Sequence, residues 1–130
     1  VYLDHTKKCY KHFSAATSWT AALKECEALF PDKASTLASA PNKVTNDFLS
    51  VLNSELAWIG GSKSSDGSWS WTDGSKWTGF TSWADGEPNN VGGIEDKLET
   101  NYGNGGSGLW NDIYDLYEID SGHFCQYQAG

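Results

Sequence analysis

The chain has 130 residues, nine basic and seventeen acidic side chains and a formal charge of −8. That length supports one hydrophobic core and reads as a single domain, 1–130. The acidic balance excludes nucleic acid and anionic membrane surfaces, which need clustered Lys or Arg, and no apolar run approaches the roughly 18 residues of a membrane helix, so membrane insertion is not expected.

Seven Trp, six Tyr and five Phe leave aromatic rings to supply much of the core. Residues 18–30, SWTAALKECEALF, place Trp19, Ala22, Leu23, Cys26 and Leu29 at helical spacing, with Thr17 or Ser18 able to cap the start. Pro31 and Asp32 end it. A second helix follows in NKVTNDFLSVL, where Val44, Phe48 and Leu52 share a face and Pro41 suits the first turn. From Leu56 onward short aromatic segments alternate with Gly, Ser, Asn and Asp: LAWIG, SWSWT and HFCQYQ read as strands. The stretch from Asp73 to Gly122 between the last two holds few regular elements apart from KLETNY. A loop region of that length needs a function, or a hold other than backbone pairing, such as a disulfide or a bound metal.

Charge is distributed unevenly. Residues 1–84 balance eight acids against eight lysines, whereas 85–120 set nine acids against Lys97 alone. Such a segment is either a solvated face or a cation site. The three cysteines, Cys9, Cys26 and Cys125, lack C-x-x-C spacing and so give no zinc or redox signature. They permit one disulfide and leave an odd thiol. A Cys26–Cys125 bridge would close a loop of about 100 residues, worth about 4.7 kcal/mol by loop-closure entropy, and implies an oxidising, extracellular compartment. With no leader segment before Val1, the sequence reads as a secreted, soluble mature form.

The acids of the second half fall into two motifs. EPNNVGGIED offers Glu87, Asn89, Asn90, Glu95 and Asp96, and LWND offers Asn111 and Asp112. Calcium takes six to eight oxygen ligands of these kinds. The spacing is not that of an EF-hand, so a calcium site must be assembled from separate segments.

With CYKHF, SWTAALKEC, WIGG, SWSWTDG, EPNNVGGIED, LWND and HFC in order, the sequence resembles a C-type lectin-like domain over nearly its whole length. The resemblance implies an α+β fold with two helices, two small antiparallel sheets and a long calcium-dependent loop region. It implies calcium ligands at Glu87, Asn89, Glu95, Asn111 and Asp112, Asp112 giving its carboxylate and its backbone carbonyl. The Glu87–Pro88 bond is expected to be cis, which turns both neighbouring side chains to one side. Two adjacent sugar hydroxyls then bind the metal, donate to Glu87 and Glu95 and accept from the amides of Asn89 and Asn111. The Glu-Pro-Asn order goes with the equatorial diols of mannose, N-acetylglucosamine, glucose or fucose.

Departures from the pattern narrow these expectations. Lys63, with only Asp66 nearby, stands where an auxiliary calcium ligand is common, and Asn90 where an acid is common, so one calcium is expected. The second disulfide of the family falls on Lys97 and Asp115, whose opposite charges suggest an ion pair in its place. Tyr102, in the insert NYGNGGSG, is a candidate for stacking on a second sugar ring, and Trp110 for the core. Cys9 is a candidate interchain disulfide of a homodimer. The same scaffold used as a protein- or ice-binding module is the alternative function. Catalysis is not expected, because calcium holds the carboxylates ionised and His5, His12 and His123 are scattered.

Overall fold

Three backbone donors at the start of helix α1 (Trp19–Leu29) set the position of the first half of the chain. Ser18 accepts from the Ala21 N–H at 3.2 Å. The Trp19 N–H meets the backbone carbonyl of Asp115 at 3.1 Å, and the Thr20 N–H meets its carboxylate at 2.9 Å. One cap is thus local and the others come from Asp115, far along the chain, which ties α1 to the late loop region. Trp19, Ala22 and Cys26 turn inward, as their spacing predicts. Residues 1–103, 108–119 and 121–130 are described by the computed structural model.

Helix α2 (Lys43–Leu52) is capped by Asn42, which accepts from the Thr45 N–H. Pro41 therefore precedes the cap rather than occupying the first turn. The helix is also rotated from the expected apolar face: Thr45, Asn46 and Leu49 are buried, Phe48 and Leu52 are partly buried, and Val44 is exposed. The rotation has a polar cause, the buried side chain of Asn46, whose partners lie in the functional region.

The strands are β1 (Tyr2–Leu3), β2 (Lys8–Phe13), β3 (Thr36–Leu37), β4 (Ala57–Lys63), β5 (Trp69–Trp71), β6 (Lys97–Thr100), β7 (Asn111–Ile113) and β8 (His123–Gln128). They run in the order β1-β2-β8-β4-β6-β7, with β3 on β8 and β5 on β4. Among the described residues, all pairings between these strands are antiparallel except the contact of Trp58 on β4 with His123 on β8. That parallel bridge joins the two antiparallel halves into one mixed sheet, and with the two helices gives the α+β architecture. Cys26 and Cys125 are bonded, with their Cα atoms 5.3 Å apart, pinning α1 to β8.

The long region after β5 is held largely by aromatic packing. Trp71, Trp77, Phe80 and Trp83 gather around Trp110, each of the four 4.8–5.8 Å from a neighbour in ring-centroid distance. Trp110 is fully buried. Its carbonyl accepts from the Ala84 N–H and its N–H donates to Ser82. Residues 82–84 therefore run beside 110, which brings the loop starting at Asp85 against the first residues of β7.

Lys97 and Asp115 do not form the expected ion pair. Lys97 donates to Ser62 at 3.0 Å, lies 3.7 Å from Asp96 and sits 4.7 Å from the Trp19 ring centre. Asp115 is turned to the start of α1, where it also accepts from the Thr20 hydroxyl. Each side chain finds a nearer and better directed partner than the other.

Candidate functional site

Two segments meet at one end of the sheet. The first leaves a turn in which the Glu87 N–H bonds to the Ala84 carbonyl, passes through a cis Glu87–Pro88 bond and closes as a short 3₁₀ turn at Val91–Gly93. Asn90 at φ 49° and Gly92 at φ 69° supply the left-handed steps that reverse the chain. The second segment is the start of β7. Asp112, fully buried, joins the two: one carboxylate oxygen accepts from the Asn89 N–H at 3.1 Å and the other from the Asn90 N–H at 2.7 Å.

The remaining acids and amides converge on the same place. Glu95 accepts from the Val91 N–H at 2.9 Å, and its own N–H donates to Asn90 at 3.2 Å. Asn89 donates its amide to Glu87 at 3.3 Å. Asn111, on β7, donates to Glu99 on β6 at 2.7 Å. Glu87, Asn89, Glu95, Asn111 and Asp112 are thus brought together at one end of the sheet. Asn89, Glu95, Glu99 and Asn111 line a depression of about 230 Å³, completed by Leu56, Val91, Tyr102, Ile113 and Tyr117.

Electrostatics single this cluster out. Burial pushes the Glu87 carboxyl up, and the adjacent Asp112 and then Glu95 push it in the same direction. Burial raises Glu99 to about 7, opposed by the Asn111 hydrogen bond and reinforced by the charges of Glu95, Glu87 and Asp112. One oxygen of Glu87, Oε1, and one of Glu99, Oε2, are covered and without a hydrogen-bond partner. Two carboxyls raised by burial and by the acids beside them, each with a covered oxygen left over, belong to a donor set suited to a hard cation. The residues present therefore fit a calcium ion.

Other candidates fall elsewhere. Asp66 is engaged by its own turn, accepting from Ser64 and from the Ser68 N–H and hydroxyl. Lys63 lies over the Trp69 ring. A second group of potential ligand atoms, from Cys26, His123 and Cys125, lies within 4.8 Å, but the two sulfurs are bonded to each other. Cys9 is half-buried on β2, opposite Tyr2 and Tyr127. Tyr102 is half-buried, and its N–H is paired with the Leu109 carbonyl. Asn101 secures the base of the insert by donating to the carbonyls of Asn53 and Glu55 and accepting from the Gly108 N–H. The rest of the insert, 104–107, and Asp120 of the acidic run lie outside the described residues.

Sequence reasoning missed two residues here. Glu99 was one acid among nine, in no motif. Asn46 is on a helix 40 or more residues upstream; its amide oxygen accepts from the Trp110 indole at 2.8 Å and its nitrogen donates to the Gly108 carbonyl at 2.9 Å. A polar residue inside an otherwise amphipathic helix was the available signal.

Two helices packed on a mixed sheet, with long loops that gather acids and amides at one end, define the C-type lectin-like class. The chain belongs to the Lectin C-type domain family, which matches residues 15–125. These are non-enzymatic, carbohydrate-binding domains that generally bind calcium. The chain is 38% identical over 115 residues to a protein named Lectin from Pleurodeles waltl, matching 83% of this chain and 64% of that protein. It is 32% identical over 85 residues to the Type-2 ice-structuring protein of Hemitripterus americanus, matching 65% of this chain and 49% of that one. It thus spans less than two thirds of the length of either. The carbohydrate-recognition domain of cow CD23, solved in the presence of a GlcNAc2Man3 oligosaccharide, superimposes with a TM-score of 0.82 at 31% identity, covering 95% of this chain and 90% of that one. Among the described residues no helix is long and apolar enough to cross a membrane.

Proposed function

We propose that the chain is a secreted lectin that binds mannose-, N-acetylglucosamine- or fucose-type glycans through a single calcium ion held by Glu87, Asn89, Glu95, Asn111 and Asp112. The observation that carries this reading is the covered, unpartnered Oε1 of Glu87 beside the Asp112 carboxylate. Bound calcium supplies coordination positions for two adjacent sugar hydroxyls. The protein's own groups then select the diol. Asn89 and Asn111 each use one amide hydrogen internally, on Glu87 and Glu99, and keep a second to donate to a hydroxyl. Glu87 and Glu95 accept from the same hydroxyls. Tyr102, on the wall of the depression, offers a ring face to a second sugar.

The unit is the single domain 1–130. One diol gives few contacts, so a single site binds near the millimolar end, about −4 kcal/mol, and useful avidity needs several sites. A homodimer joined through Cys9 supplies them; a dimer on a non-reducing gel that collapses on reduction supports it.

Chromatography on mannose-agarose in calcium, with elution by EDTA, tests the function. Passage through the column in calcium overturns it. A second reading, ice or protein binding on the same scaffold, is favoured by the 32% identity to the ice-structuring protein. Flow-through on mannose-agarose together with a depressed freezing point beyond the colligative value supports that reading instead.

A further inference from the structure

We infer that Glu99 is a positioning residue for the site: it fixes which end of the Asn111 amide faces the metal and sugar. The inference rests on the calcium-and-sugar reading above. Glu99 and Asn111 are directly opposed across β6 and β7, so their side chains share one face and lie within contact range. The amide nitrogen of Asn111 donates to Glu99 Oε1 at 2.7 Å, with both residues almost fully buried, at 5% and 2% exposure. An asparagine amide is nearly symmetric in shape but not in chemistry: one end coordinates a hard cation and the other cannot. Holding Nδ2 on Glu99 leaves Oδ1 free of that contact, and leaves the second N–H available to a hydroxyl.

Glu99 is a poor choice for stability alone. It takes one hydrogen bond from a side chain, and its other oxygen, Oε2, is covered and unpartnered. A buried carboxylate in that condition is unfavourable compared with an apolar residue of the same size. An orienting role on a metal-ligating side chain accounts for an acid at this position. Such outer partners are worth about 10- to 100-fold in metal affinity.

Two variants separate orientation from structure. Glu99→Gln keeps an acceptor oxygen for the Asn111 amide and removes the charge, whereas Glu99→Met keeps the volume and removes the acceptor. Calcium chloride is titrated calorimetrically into wild type and both variants, followed by methyl α-mannoside, and each is melted in EDTA. The expected result is cooperative melting of all three in EDTA, calcium affinity of Glu99→Gln close to wild type, and a loss of about 10- to 100-fold for Glu99→Met, with mannoside affinity falling in step. Wild-type calcium and sugar affinity in Glu99→Met overturns the inference. So does an equal loss in both variants, which assigns the effect to charge, or loss of cooperative melting in both, which assigns Glu99 to the fold. A wild-type chain that binds no calcium overturns the underlying reading and this inference with it.

Discussion

The indole N–H of Trp110 donates to the amide oxygen of Asn46 at 2.8 Å, across 64 residues of sequence and wholly inside the protein. This bond connects α2 to the segment that carries Asn111 and Asp112. Substituting Asn46→Ala leaves a buried indole donor unpaired, for a loss of about 1 to 3 kcal/mol. The Gly108 carbonyl is less affected, because the Ser82 hydroxyl also donates to it at 2.6 Å. Asn46→Asp retains the acceptor for Trp110 but sets a carboxylate oxygen against the Gly108 carbonyl, to which the amide donates at 2.9 Å, and buries a charge, so at pH 7 it is expected to be at least as destabilised as Asn46→Ala. Urea unfolding of the three proteins checks the order.

Much of this fold was legible because local chemistry and global packing agree. On α1 the buried residues Trp19, Ala22 and Cys26 follow the helical period, whereas β4 and β8 were legible as short runs rich in apolar and aromatic residues that are buried on both faces. Strand β2 was not anticipated, because Lys8-Cys9-Tyr10-Lys11-His12-Phe13 buries only Tyr10 fully and shows no clean alternation. Strand β3 has two residues and exists through its pairing with β8. The five candidate ligands were visible as motifs, since a cation site demands a particular set of oxygens. Glu99 and Asn46 were not, because residues that orient others are defined by partners remote in sequence.

The separate partners of Lys97 and Asp115 lead to a second expectation. Asp115 holds the first turn of α1, where an accepting carboxylate also suits the positive end of the helix, so Asp115→Ala is expected to lose about 0.5 to 2 kcal/mol. Lys97 lies against Ser62 and the Trp19 ring. A double-mutant cycle with Lys97→Ala is therefore expected to be additive within about 0.5 kcal/mol. A larger coupling would mean that the two charges pair directly in solution.

Calcium removal bears on the loop region as a whole. The aromatic cluster around Trp110 and the bond between Cys26 and Cys125 hold its base, whereas the turn through Glu87 to Glu95 is joined to β7 chiefly by the Asp112 carboxylate. A ligand at 100 times its dissociation constant stabilises the folded state by about 2.7 kcal/mol. The melting temperature is thus expected to rise by several degrees in excess calcium and to return on adding EDTA. Asp112→Ala is expected to abolish the rise and also to lower the melting temperature in EDTA, because two backbone N–H groups lose their acceptor. A wild-type protein indifferent to EDTA would contradict the proposed site.

Asp73 carries a pH prediction independent of the metal. Burial alone would push its carboxyl up, but the hydrogen bond from the Ser75 N–H at 2.8 Å, with those from Gln126 and the Ser75 hydroxyl, outweighs burial and brings it down to about 2. Lys8 adds a contact at 3.1 Å. A folded-state value below the unfolded one, about 3.9, means that the group stabilises the protein above that pH. The contribution is then lost as the pH falls from about 4 through 2. It amounts to roughly 1 to 2 kcal/mol, allowing for partial solvent screening. Asp73→Asn removes the charge at every pH, so the variant is expected to be less stable than wild type at pH 7 and to approach it by pH 2. Urea midpoints measured in EDTA across that range, where calcium plays no part, check the convergence; a constant gap between the two proteins would show that Asp73 acts through packing instead.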